Sequence, residues 1–148
     1  MKTISLAHPQ LDRPSGDHSA FTTVGAVAAA LVAWFFVATV LNLLLRTSLP
    51  HYHEAETAFT FTFTMKLARL ALGAVSTLAA GFVAAWIETG RMRAATITGV
   101  LLLGLFIPGH YLIWSKFPVW YHLTFLVSLV PLTLLGAAWN RSTCRKAS

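Results

Sequence analysis

Four long uncharged stretches divide the chain. Residues 21–45 lie between Asp17 and Arg46, 70–87 between Arg69 and Glu88, 94–115 between Arg93 and Lys116, and 117–140 between Lys116 and Arg141. Each approaches the ~20 residues that an apolar helix needs to cross the hydrocarbon core of a bilayer. The pattern predicts an all-α polytopic membrane protein: a bundle of four transmembrane helices with short loops. Allowing for helix ends that project past the apolar core, the spans fall at about 21–45, 66–88, 94–115 and 118–140. Residues 1–20 carry no apolar period and are expected to form a flexible tail, and 141–148 a short basic one.

The breaks between the stretches are less regular. The segment at 47–65 opens with His-Tyr-His-Glu-Ala-Glu and continues with Phe59, Phe61 and Phe63 alternating with threonines. Such alternation is strand-like, but a lone strand has no partner for its backbone groups inside a membrane. Either this segment lies at the interface, or the second helix begins near Glu54 and projects beyond the bilayer. The second reading is favoured, because one continuous helix lets Lys66 and Arg69 snorkel to the interface. Pro108 and Pro131 fall inside spans three and four and predict a kink in each. Asn42, one turn before Arg46, is expected to reach the interface rather than bond a neighbouring helix.

Composition agrees with a lipid solvent. Of 148 residues, 56% are hydrophobic and 11% charged, against about 25% charged in soluble domains. The net charge of +6 is scattered over helix ends, so it reads as membrane anchoring, and no nucleic-acid partner is expected. Cys144 is the only cysteine, which excludes an intramolecular disulfide. The first apolar run is too long for a signal peptide and lacks a cleavage site after it. For orientation, Lys2, Arg13, Arg91, Arg93, Arg141, Arg145 and Lys146 outweigh Arg46, Lys66, Arg69 and Lys116 on the opposite side. The positive-inside rule therefore places both termini in the cytoplasm, and a bacterial inner membrane is the expected location.

Small residues recur at four-residue spacing on two spans: Gly25, Ala29 and Ala33 on the first, and Gly73, Thr77, Gly81 and Ala85 on the second. Such ridges let helices approach closely, where van der Waals contact replaces the hydrophobic drive that lipid does not supply. The two ridges are expected to pack on each other, or alternatively to join copies of the chain.

Candidate chemistry gathers on the side opposite the termini. About Lys116 the flanks mirror each other, so that His110 stands opposite His122 and Tyr111 opposite Tyr121. His51, His53, Glu54, Glu56, His110 and His122 are the candidate ligands for zinc or copper, if the loop folds over the hairpin. Two histidines at one depth also suggest b-type haem, but helices joined by so short a turn pack ~8–10 Å apart and leave little room for a porphyrin. Tyr111, Trp114, Trp120 and Tyr121 form an aromatic belt, with Arg46, Lys66, Arg69 and Lys116 adding positive charge. These residues are lipid and interface anchors, or else the lining of a lipid or quinone site. Glu88 and Arg91 are placed to pair at a helix end.

No nucleophile motif, phosphate loop or intramembrane acid of the kind ion-coupled carriers use is visible. The expectation is therefore not an enzyme. It is a structural or accessory subunit that packs with itself or another membrane protein, with no cofactor strongly implied. The alternative is a metal- or redox-associated protein, with metal, haem or quinone at the outer histidines.

Overall fold

The computed structural model describes residues 16–89 and 91–146. Five α-helices follow in order: α1 Gly16–Ser48, α2 Tyr52–Ala58, α3 Phe63–Ile87, α4 Arg93–Leu112 and α5 Val119–Lys146, with a single 3-10 turn, Trp114–Lys116, between the last two. Among the described residues there is no strand, and α1, α3, α4 and α5 are each long and apolar enough to cross a membrane. Helix α1 begins before residue 20 and α5 runs to Lys146, so the helices extend into both segments read as tails. The expectations for residues 1–15 and 147–148 lie outside the described residues.

The long helices make a four-cornered bundle. Helices α3 and α5 share the most extensive interface, followed by α1 with α3 and α4 with α5. Helix α4 also touches α1 and α3, which leaves α1 and α5 at opposite corners. Alanine dominates the centre: Ala26, Ala30, Ala80, Ala84, Ala85, Ala94, Ala95 and Ala137 are fully buried. Large apolar side chains such as Phe21, Val32 and Phe36 instead face outward. This inversion of a soluble core is what lipid permits, since large side chains lose nothing outside and small ones bring backbones together.

The small ridge of α3 does not pack as expected. Gly73, Thr77, Gly81 and Ala85 are all buried, but the principal partner of Gly81 is α5. A Cβ at Gly81 would collide with the Thr133 backbone, and one at Gly136 would collide with the backbone of Leu78 and Phe82. Two glycines thus place α3 and α5 backbone against backbone. Gly25 is exposed, with nothing within 4 Å of a Cβ built on it, and Ala29 and Ala33 are only half-buried. Helix α1 packs instead through Ala26, Val27, Ala30 and Trp34, a face turned away from Gly25.

The 47–65 segment is also corrected. The second transmembrane helix does not begin near Glu54. Helix α2 is separate, ending at Phe59 in a left-handed conformation (φ 57°), and three residues without regular structure follow. Thr62 then restarts the chain as the N-cap of α3, its hydroxyl accepting the Met65 amide. The Phe/Thr alternation explains the break. Phe61 turns inward and is buried with Tyr52, Ala55, Met65, Phe117 and Tyr121, while Phe59 and Phe63 face out. Helix α2 therefore folds across the end of the bundle. Helices α4 and α5 run on unbroken through Pro108 and Pro131.

At the opposite end Glu88 is buried rather than paired with Arg91. Its Oε1 accepts the Thr23 hydroxyl (2.6 Å) and its Oε2 accepts the Ala94 amide (2.8 Å). One carboxylate thus ties α1 and α3 to the first turn of α4, where free amides and the helix dipole favour a negative charge.

Candidate functional site

Where α2 crosses the bundle it roofs one end of an open cleft of about 750 Å3 between α1, α3, α4 and the start of α5. That volume lies within the ~300–1,000 Å3 range of small-molecule sites.

The roofed end is polar. Arg46 holds Glu56 through two nitrogens, each 2.7 Å from Oε2. Arg69 Nη1 donates to Glu56 Oε1 (3.4 Å) and to the Tyr52 hydroxyl (3.1 Å). Asn42 closes the network, its Nδ2 donating to Glu56 Oε1 (3.2 Å) and its Oδ1 accepting from Tyr52 (3.2 Å). Asn42 therefore engages α2 rather than the interface. Burial works to raise the Glu56 pKa. Hydrogen bonds from Arg46 and Asn42, with the charges of Arg46 and Arg69, outweigh it and hold the carboxyl below its ordinary value of 4.5. Two guanidiniums face one carboxylate, so the network keeps one positive charge.

One wall of the cleft is a run of rings. The Arg69 guanidinium lies 4.8 Å from the Phe61 centroid. Phe61 stacks on Phe117 (5.4 Å), Phe117 on Tyr121 (4.6 Å), and Tyr121 lies parallel to His110 at 6.1 Å. His110 stacks on Phe125 (4.7 Å), and Phe106 then links Phe125, edge to face, to Trp34, which it meets at a tilt. Trp34 is fixed in turn by its indole N–H, which donates to Thr77 Oγ1 (3.1 Å). All seven rings from Phe61 to Trp34 line the cleft.

The mirrored histidines meet inside this wall. His110 and His122 face each other Nδ1 to Nδ1 at 2.8 Å, both buried, with Trp114 stacked on the outer side of His122 at 4.7 Å. One proton lies between the two nitrogens, since two N–H groups pointed at each other would repel. Contact this close leaves no place for a porphyrin or a metal ion between the rings.

The six proposed metal ligands do not converge, and no three His, Cys, Asp or Glu side chains among the described residues are arranged to hold an ion. His51, just before α2, and His53 on it face solvent, with His51 against Glu54 at 3.1 Å, and Glu56 is held by arginines. The anchor residues divide: Tyr111, Trp114, Lys116 and Trp120 are exposed and Lys66 is half-buried. Arg46, Arg69 and Tyr121, by contrast, line the cleft. Helix periodicity alone did not single out Trp34, Asn42, Tyr52, Phe61, Phe106 and Phe125 as lining or supporting residues. The inward member of the Phe/Thr alternation was the available signal for Phe61. The chain matches no family model, no curated protein and no solved structure.

Proposed function

We propose that the protein is a non-catalytic integral membrane protein that holds a lipid-soluble molecule with a polar head in the cleft beneath α2. The supporting observation is the cleft itself: a deep apolar and aromatic wall ending in a networked Arg46–Glu56–Arg69 cluster that retains one positive charge. An amphipathic molecule entering from the bilayer would place its head at that cluster and its apolar part along the rings. The α3 ridge is occupied within the chain, Gly81 by α5 and Thr77 by Trp34 of α1, so a packing-subunit role would rest on the Gly25, Ala29 and Ala33 ridge of α1 instead. The balance of lysines and arginines favours cytoplasmic termini, hence a cleft on the outer side of a bacterial inner membrane.

Extraction and mass spectrometry of the purified protein test this reading. A stoichiometric lipophile is expected to co-purify with the wild type. It should be lost from Ala38→Trp, which fills the cleft, and retained by Val32→Trp on the outer face of α1. Equal amounts in all three proteins would refute the reading.

A further inference from the structure

We infer that the molecule held in the cleft carries a quinone-type ring, lying on the aromatic wall with one carbonyl oxygen accepting a hydrogen bond from His110 Nε2. This inference rests on the cleft being a ligand site and adds the class of ligand.

The tautomer of the histidine pair follows from burial. His122 is fully buried, and its Nε2 has no hydrogen-bond partner. An orphaned buried N–H is rarer and costlier than an acceptor with an unused lone pair. The proton of His122 therefore sits on Nδ1, where it is donated to His110 Nδ1. His110 in turn carries its proton on Nε2, its other ring nitrogen, as a neutral imidazole must. His110 lines the cleft and its Nε2, unlike that of His122, is not sealed inside the protein, so the pair has an N–H donor for an occupant of the cleft, and His122 serves as the positioning residue.

The remaining polar groups agree. Both Glu56 oxygens accept from Arg46, Arg69 or Asn42, and the Asn42 carbonyl accepts from Tyr52. With the carboxylate and amide acceptors of the roofed end taken, its guanidiniums and the His110 N–H remain to be matched, which a ligand does by supplying acceptors. The stacked rings cover one another's faces and leave their edges for the cleft, and a ring edge packs favourably on the face of a flat, unsaturated ligand, a contact that a saturated chain does not offer. A quinone combines carbonyl acceptors, a planar ring and an apolar tail.

The experiment uses the full chain in phosphatidylcholine nanodiscs, titrated with decylubiquinone and separately with oleate. Tryptophan quenching reads binding, and the infrared carbonyl band of isotope-labelled quinone reads hydrogen bonding. The wild type should quench saturably and show a carbonyl band shifted below that of free quinone. His110→Phe keeps a ring in the wall but removes the N–H. It should weaken binding about tenfold, the equivalent of one hydrogen bond, and abolish the shift. His110→Gln, which restores a donor, should recover the shift. An unshifted band on the wild-type protein overturns the inference even if every variant misfolds, as does unchanged quinone affinity in a folded His110→Phe. If oleate binds saturably and is lost in Ala38→Trp while quinone does not bind, the ring class fails and the cleft reading stands. If neither probe responds to Ala38→Trp, both fail.

Discussion

A single methyl group at Gly81 is expected to force α3 and α5 apart. The Cβ of Gly81→Ala would stand 2.7 Å from the Thr133 carbonyl carbon and 2.9 Å from its Cα. Carbon atoms rest at about 3.5–4.0 Å, so the helices must separate by roughly 1 Å. No rotamer relieves this, because the atoms that are struck belong to backbone. A gap of that size forfeits about a quarter to a half of each contact's ~0.1–0.2 kcal/mol. Over on the order of 50 atom pairs the loss is about 1–5 kcal/mol, which brackets the ~1–3 kcal/mol typical of overpacking. Gly136→Ala meets the Leu78 and Phe82 backbone across the same interface and should cost a similar amount. One separation relieves both collisions, so the double variant should cost at least about 1 kcal/mol less than the sum of the two. Gly25→Ala meets nothing within 4 Å and should be neutral. Reversible unfolding in bicelles by steric trapping measures all four. A cost below about 0.5 kcal/mol for Gly81→Ala, or a larger cost for Gly25→Ala, would refute the backbone-on-backbone contact.

Glu88→Ala leaves the Ala94 amide without its buried acceptor and the Thr23 hydroxyl with only the Ser19 carbonyl. The same assay should show a loss of about 2 kcal/mol, with Glu88→Gln losing less. Thr89 is a β-branched residue at φ 54°, so Thr89→Gly should stabilise by about 1 kcal/mol despite the lost bond to the Glu88 carbonyl. The folded pKa of Glu56 is depressed, so its contribution to α2 docking is present above the ordinary 4.5 and disappears as pH falls through the lowered folded value. Hydrogen exchange of the α2 amides should therefore accelerate in acid in the wild type but stay flat with pH in Glu56→Gln once intrinsic rates are divided out. Equal pH dependence in the two would show that the carboxylate does not hold α2.

How far the sequence could be read follows from which interactions are local. A span needs only a run of apolar residues, so all four were visible and their ends differ by a few residues. The mate of the α3 ridge was not visible, because small residues mark a helix as approachable without naming what approaches it. Gly136 lies in a stretch whose other residues are mostly large, and only the contact with Leu78 distinguishes it. The histidine pair was half legible. The mirror about Lys116 gave equal depth, but nothing in the spacing says that the rings hydrogen-bond instead of facing a third group. The left-handed turn at Phe59 had no signal, since glycine and asparagine are the residues that ordinarily announce one.

That turn decides the character of the cleft. Had α2 continued into α3 as one helix, Glu56 would lie more than three turns from Arg69 on a rigid rod, ~20 Å along the axis. Arg69 would then have only the interface to satisfy it, and snorkelling would be its fate. The break at Phe59 and the three non-helical residues after it turn α2 back over the bundle, and Glu56 comes within 3.4 Å of Arg69. A guanidinium with a carboxylate, a tyrosine hydroxyl and a ring face around it can stay half-buried near the bilayer edge, where an unpartnered one is costly. The arginine is thereby converted from an anchor that points away from the bundle into the polar end of a cavity that points into it. The alternation of Phe59, Phe61 and Phe63, which makes no strand, is the means: its inward member, Phe61, sits beneath Arg69 and begins the aromatic wall.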